Sequence, residues 1–162
     1  MKGCFLPNHL QIFARYFYLK QPLMLNADYV LCECPHESLE ALVEHLEPFY
    51  EVQIARHPSI CMTMIRAEDS VELQSFFLGE ALMTESTLLV NGQEGHGLCL
   101  GDEPVRSYCM AFVDALLQLA DDRLPFIHRF LEEQDALIRQ RLRLEYNLIQ
   151  RTKVDFKLME QD

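Results

Sequence analysis

The dipeptide Asn91-Gly92 separates two apolar runs, Ala81 to Val90 and Gly97 to Leu100. A two-residue connection between strands favours positive φ at both positions, which Asn and Gly tolerate, and it turns the chain back on itself as a hairpin. One antiparallel pair is thereby set, and the neighbouring segments must pack around it. Upstream, Phe49 to Arg56 alternates, with Tyr50, Val52 and Ile54 on one side and Glu51 and Gln53 on the other, the pattern of a half-buried strand. His57-Pro58-Ser59 is expected to turn, Ile60 to Ile65 to form a second strand, and Ala67 to Glu72 to lead through a polar connection into Leu73 to Leu78.

Helical signals bracket this strand-rich middle. After Pro35, the residues Leu39, Leu42, Val43 and Leu46 recur at helical spacing and stop before Pro48. Gly101-Asp102-Glu103-Pro104 predicts a strand-to-helix junction, with Asp102 as cap and Pro104 in the first turn. Val105, Tyr108, Cys109, Phe112, Leu116 and Leu119 then form a stripe suited to lying across a sheet. A further helix, Pro125 to Gln150, aligns Ile127, Leu131, Ile138, Leu142 and Ile149. At ~1.5 Å per residue it is a rod of roughly 40 Å, longer than so small a body covers, so part of it should serve an interface. The expected class is α+β: a single domain with an antiparallel sheet packed by one amphipathic helix, a short N-terminal helix and a long C-terminal helix. Residues 1–28, interrupted by Pro7 and Pro22, are assigned to an N-terminal extension and 29–162 to the domain.

The 162 residues are 49% hydrophobic and 24% charged, the balance of a soluble globular protein, and their net charge of −11 argues against nucleic acid as a partner. Between 139 and 153, Arg139, Arg141, Arg143, Arg151 and Lys153 face only Glu145, a cationic stretch open to an anionic partner or to intrahelical pairing on a solvated face. Cysteines stand at 4, 32, 34, 61, 99 and 109 without a secretory leader, which predicts free thiols in a reducing cytoplasm. No apolar run reaches the ~18 residues of a membrane span.

Cys32-x-Cys34 with His36 nearby has the wrong spacing for structural zinc and lacks a second ligand pair, so no metal is expected. No phosphate loop, nucleophile elbow or dinucleotide fingerprint calls for a cofactor. Glu80 and Glu85, five residues apart on a strand, should lie on opposite faces and not act as an acid–base pair. His96, between Gly95 and Gly97, is either a polar turn residue or an accessible imidazole. Glu85, His96 and Arg106 are the candidate ligand-binding residues if strand ends bring them together.

The order of these motifs resembles one known family. Leu78-Gly79-Glu80, Thr84-Glu85, Asn91-Gly92, Gly95-x-Gly97, Gly101-Asp102-x-Pro104-x-Arg106 and Asp114-Ala115, with a closing Arg151-Thr152-Lys153-Val154-Asp155-Phe156-x-x-Met159, are similar to the pattern of the carbon-phosphorus lyase system PhnG family. The likeness runs from about Tyr29 to Met159. The chain departs from it in its opening residues and at Tyr108-Cys109-Met110, where the family favours small residues.

The resemblance implies a subunit of the phosphonate machinery that makes alpha-D-ribose 1-methylphosphonate 5-triphosphate from methylphosphonate and a purine nucleoside triphosphate. It further implies PhnI-like, PhnH-like and PhnJ-like partners, with the nucleosidase-like chemistry in the PhnI-like chain and no catalytic residue in this one. Under that reading Arg151, Val154, Asp155, Phe156 and Met159 bind a partner, Phe156 and Met159 as anchors and Arg151 with Asp155 fixing orientation. The residues alone also allow a free-standing small-molecule protein with a pocket at Glu85, His96 and Arg106, or a homodimer seamed by the long helix.

Overall fold

The computed structural model describes residues 26–69 and 74–151. Its elements run α1 (Ala27–Glu33), α2 (His36–Leu46), a 3-10 turn (Glu47–Phe49), β1 (Val52–Glu68), β2 (Ser75–Val90), β3 (Gln93–Leu100), α3 (Pro104–Leu119) and α4 (Leu124–Arg151). The three strands form one antiparallel sheet in the order β1-β2-β3. The α+β class and the long C-terminal helix agree with the sequence pattern.

The hairpin forms as its turn residues require, with Val90 opposite Gln93 and positive φ at Asn91 (48°) and Gly92 (83°). Asn91 also accepts the Glu51 N–H through its side chain at 2.8 Å, tying β1 to the same corner. The expected turn at His57-Pro58-Ser59 does not exist: β1 continues through it as one strand of 17 residues. The register slips between Ile54 and Arg56 and again between Arg56 and Ser59, so the proline falls in a bulged stretch of an edge strand. An edge strand with a bulge spares Pro58 the ladder hydrogen bond it cannot donate, which is why the sequence breaker fails to break the strand. The expected start of a strand at Leu73 lies outside the described residues; the strand is present from Ser75.

Residues Ser86, Leu88 and Val90 of β2, with Gly95, Gly97 and Cys99 of β3, share the face on which α3 lies. The helix was expected to bury a stripe, yet Ser107, Cys109, Met110, Ala111, Phe112, Val113, Ala115 and Leu116 are all buried, on every side of it. It lies between the sheet and the other helices, so burial runs round its middle and only its ends open to solvent, leaving Val105, an expected stripe position, 47% exposed and Gln118 exposed in the last turn. Val30, Leu31, Leu39, Leu42, Val43, Leu46, Ile127 and Leu131 complete the core. The helix α1 was not expected; Asn26 caps it by accepting the Tyr29 N–H at 3.2 Å.

Along α4 the buried residues are Ile127, Leu131, Gln134, Ile138 and Leu142. Ile149, expected to continue that line, is exposed together with Leu137, Leu144 and Leu148. No described helix is long and apolar enough to cross a membrane.

Candidate functional site

Most of the distinctive residues between Leu78 and Ala115 meet at the contact between the sheet and α3. A Cβ placed on Gly97 would sit 1.8 Å from the Ser107 carbonyl oxygen, and one on Gly95 would sit 2.2 Å from that of Ala111. The glycines thus let the helix backbone rest directly on β3. Ser107 Oγ lies 2.9 Å from Ser86 Oγ and 3.1 Å from the Gly97 carbonyl, so both hydroxyls are satisfied within this dry contact. Asp114 accepts the His96 backbone N–H at 2.8 Å, and Ala115 supplies the small side chain beside Gly95.

The junction into α3 is fastened from the sheet. Asp102 does not cap the helix; the residue at the N-cap is Glu103, which offers no side-chain cap bond. The buried Thr84 hydroxyl accepts the Glu103 N–H at 3.0 Å and donates to the Gly101 carbonyl at 2.6 Å. A threonine on β2 therefore does what the sequence pattern assigned to the local aspartate, because a fixed strand can hold a hydroxyl over both backbone groups at once. Pro104 occupies the first turn as its fixed φ favours.

Arg106 points away from the strands. One of its terminal nitrogens donates to the carbonyls of Leu31 (2.8 Å), Cys32 (3.2 Å) and Cys34 (3.2 Å). These are carbonyls at the C-terminal end of α1, where a cation satisfies orphan acceptors and faces the negative end of the helix dipole.

Glu85 and His96 lie together on the opposite, open face of the sheet. The register pairs Glu85 with Leu98 and Thr87 with His96, so the two side chains occupy adjacent rows. Glu85 forms an ion pair with Arg56 at 2.6 Å, and His96 Nδ1 lies 3.4 Å from Thr87 Oγ1. The His96 Nε2 atom is 3.9 Å from a Glu94 carboxylate oxygen. His96 belongs to β3 itself and is not a turn residue. The structure thus brings Glu85 and His96 together, adds Arg56 and Thr87 to them, and places Arg106 on the other side of the sheet. Glu80, opposite Met64, and Glu85, opposite Ser59, lie on opposite faces as their spacing predicts. Chemically this face is a shallow row of paired, solvated charges. Arg56 was not singled out in the sequence, and its place at the end of the alternating run Phe49 to Arg56 was the only signal it could give.

The five described cysteines are free. Burial above all pushes the Cys32 and Cys109 thiols up to about 12 and Cys99 up to about 11, with the Arg106 cation pulling against it in each case. Thiols so placed stay protonated near neutrality and behave as small apolar groups. Among the described residues no three His, Cys, Asp or Glu side chains gather as metal ligands. A separate open groove runs between α2 and the start of α4, lined by Ser38, Ala41, Leu42, His45, Phe126 and Phe130. No sequence pattern signals it, since its two walls lie about 80 residues apart in the chain.

Residues 27–161 match the family model described as phosphonate metabolism protein PhnG. The chain belongs to the PhnG family. A similar curated PhnG protein is the alpha-D-ribose 1-methylphosphonate 5-triphosphate synthase subunit PhnG of Rhizobium meliloti (strain 1021), 32% identical over 110 residues, which cover 67% of this chain and 70% of that protein. The family match begins at Ala27, the first residue of α1, so the PhnG region takes in the helix that Arg106 fastens. Of the tail residues expected to bind a partner, Arg151 is the last described residue of α4, while Val154, Asp155, Phe156 and Met159 lie outside the described residues.

Proposed function

We propose that this chain is an accessory, non-catalytic subunit of the synthase that forms alpha-D-ribose 1-methylphosphonate 5-triphosphate, holding a PhnI-like catalytic partner within a cytoplasmic complex that also contains PhnH-like and PhnJ-like chains. The name of the Rhizobium meliloti relative supports the subunit role. The observation that carries the scaffolding part is α4: its last three turns keep Leu144 60%, Leu148 60% and Ile149 51% exposed. Large apolar side chains clustered on one helix end mark a surface that another chain covers. The family motifs point the same way, since Gly95 and Gly97 admit the close approach of α3 and the side chains of Thr84 and Arg106 are engaged in building the body. The tail Val154-Asp155-Phe156 with Met159 is assigned to the same interface on its sequence, so that a chain ending at Gln150 should co-purify poorly with the PhnI-like subunit.

The test is co-expression of the full chain with its companion subunits, followed by pull-down and turnover of methylphosphonate with a purine nucleoside triphosphate. Leu144→Glu combined with Leu148→Glu should strip the chain from the complex. Glu85→Gln and His96→Gln should assemble and keep turnover within about twofold, because exposed charges away from the reacting atoms contribute little to a transition state. Complete loss of turnover in an intact Glu85→Gln complex would overturn the accessory role and favour a site on the open sheet face.

A further inference from the structure

The strands β1 and β2 are twice as long as β3, and the consequence is a projecting arm. The last residue pair between β2 and β3 is Met83 with Leu100; beyond Leu82, β2 continues to Ser75 against β1 alone. Met62–Glu68 and Ser75–Leu82 therefore form a two-stranded ribbon. Among the described residues no third strand and no helix of the core is arranged over it. A ribbon of two strands is marginal by itself and is ordinarily completed by packing against something else.

Its composition is that of a buried surface. Met62 is 58% exposed, Met64 56%, Phe77 62% and Leu78 53%, with Phe76 at 47% and Leu82 at 42%. The register puts Met62, Met64, Phe77 and Leu82 on one face and Phe76 on the other, so the six half-bare side chains present on the order of 500 Å² of apolar surface around the ribbon, an amount that marks an interaction site on a folded protein. Methionines and phenylalanines are also the residues enriched at the centres of protein interfaces. The register between Ile65–Gly79 and Arg66–Phe77 carries a bulge that makes Leu78 the extra residue, so three consecutive apolar residues, Phe76 to Leu78, stand on the arm in place of an alternating pattern.

Resting on the subunit reading above, we infer that the arm is a second docking element, independent of α4, which inserts into an apolar cleft with a basic rim on a different subunit of the synthase. The charges choose the partner. Acidic Glu68 stands at the far end of the ribbon and Glu80 along it opposite Met64, against a single cation, Arg66, whose guanidinium is engaged with the Ser75 hydroxyl at 2.6 Å. A second copy of this chain would bring another net charge of −11 to the contact, an unfavourable partner for an acidic ribbon. A companion subunit with Lys or Arg around an apolar floor satisfies both features.

The experiment uses the co-expressed complex with the photo-crosslinker p-benzoylphenylalanine substituted at Phe77, where exposure leaves room for the added benzoyl group, and at Leu144 as the α4 reference. The arm should yield an adduct with a different subunit, identified by mass spectrometry. Glu68→Lys with Glu80→Lys should weaken that association about tenfold at low salt while the chain stays folded. An adduct joining two copies of this chain, or one confined within a single chain, overturns the inference. So does a Phe77 position that yields no adduct while Leu144 does, and that result leaves the subunit reading standing. If neither position crosslinks and the chain elutes alone, the subunit reading fails with it.

Discussion

Replacing Gly97 by Ala is the sharpest probe of how this body is built. The new Cβ would lie 1.8 Å from the Ser107 carbonyl oxygen, 2.8 Å from the Ala111 nitrogen and 2.8 Å from the Ser107 carbonyl carbon, all of them backbone atoms that cannot swing aside. Contact distances for carbon are near ~3.5 Å, so α3 must retreat from β3 by more than about 1 Å. Overpacking of this kind costs about 1–3 kcal/mol. The same retreat stretches the Ser107 hydroxyl away from Ser86 and Gly97, two buried bonds of about 1 kcal/mol each. The total, about 3–5 kcal/mol, is a large share of the ~5–15 kcal/mol that stabilises a domain. At roughly 2–4 °C per kcal/mol for a chain of this size, the melting temperature should fall by about 10 °C or more. Gly79→Ala is the matched control, since its Cβ meets nothing within 4 Å, and it should leave stability unchanged or slightly raised. Circular dichroism melts of the two full-length variants decide the matter. A Gly97→Ala chain melting within about 2 °C of the parent would refute the close approach of helix and strand.

Three further outcomes are expected. Thr84→Val removes the hydroxyl that serves both the Gly101 carbonyl and the Glu103 N–H in a buried position, and urea unfolding should show a loss of about 2 kcal/mol; a loss under about 0.5 kcal/mol would mean that the helix start is held otherwise. Ala120 ends α3 with φ at 51°, a left-handed cap that glycine adopts without strain, so Ala120→Gly should stabilise the chain by about 0.5–1 kcal/mol, read by the same denaturation. Because burial raises Cys32, Cys99 and Cys109 above the ordinary thiol value of 9.0, the unfolded chain releases these protons first as pH rises. Their contribution is whole below pH 9 and is lost toward about 11–12, so the melting temperature should fall across that window, and Cys109→Ala should flatten the fall.

The elements that depend on neighbouring residues were legible in the sequence: the Asn91-Gly92 turn, the His36–Leu46 helix, the Pro104 start of α3 and the full length of α4. Those that depend on distant residues were not. Helix α1 is short and owes its C-terminal end to Arg106, more than 70 residues away. The cap of α3 passed from Asp102 to Thr84 because β2 passes beneath it, and Pro58 stayed inside a strand because β1 is an edge. The candidate site shows the same division. Alternation placed Glu85 on a strand but left His96 at the hairpin end, and both the strand position of His96 and the separation of Arg106 appeared only when β3 was paired with β2 and α3 was laid on one face of the sheet.

The contact between β3 and α3 also has a mechanical consequence. Two strand residues rise ~6.6 Å and four helical residues ~6 Å, so Gly95 and Gly97 meet the Ala111 and Ser107 carbonyls at matched intervals. Sliding the helix by one such interval would set a carbonyl against Cys99 or Gln93, both of which carry a Cβ. The axial position of α3 is therefore locked, and Arg106 at its first turn carries the lock on to α1. A load taken up by the sheet passes to the α1 end of the molecule without slip, as through a single rigid lever.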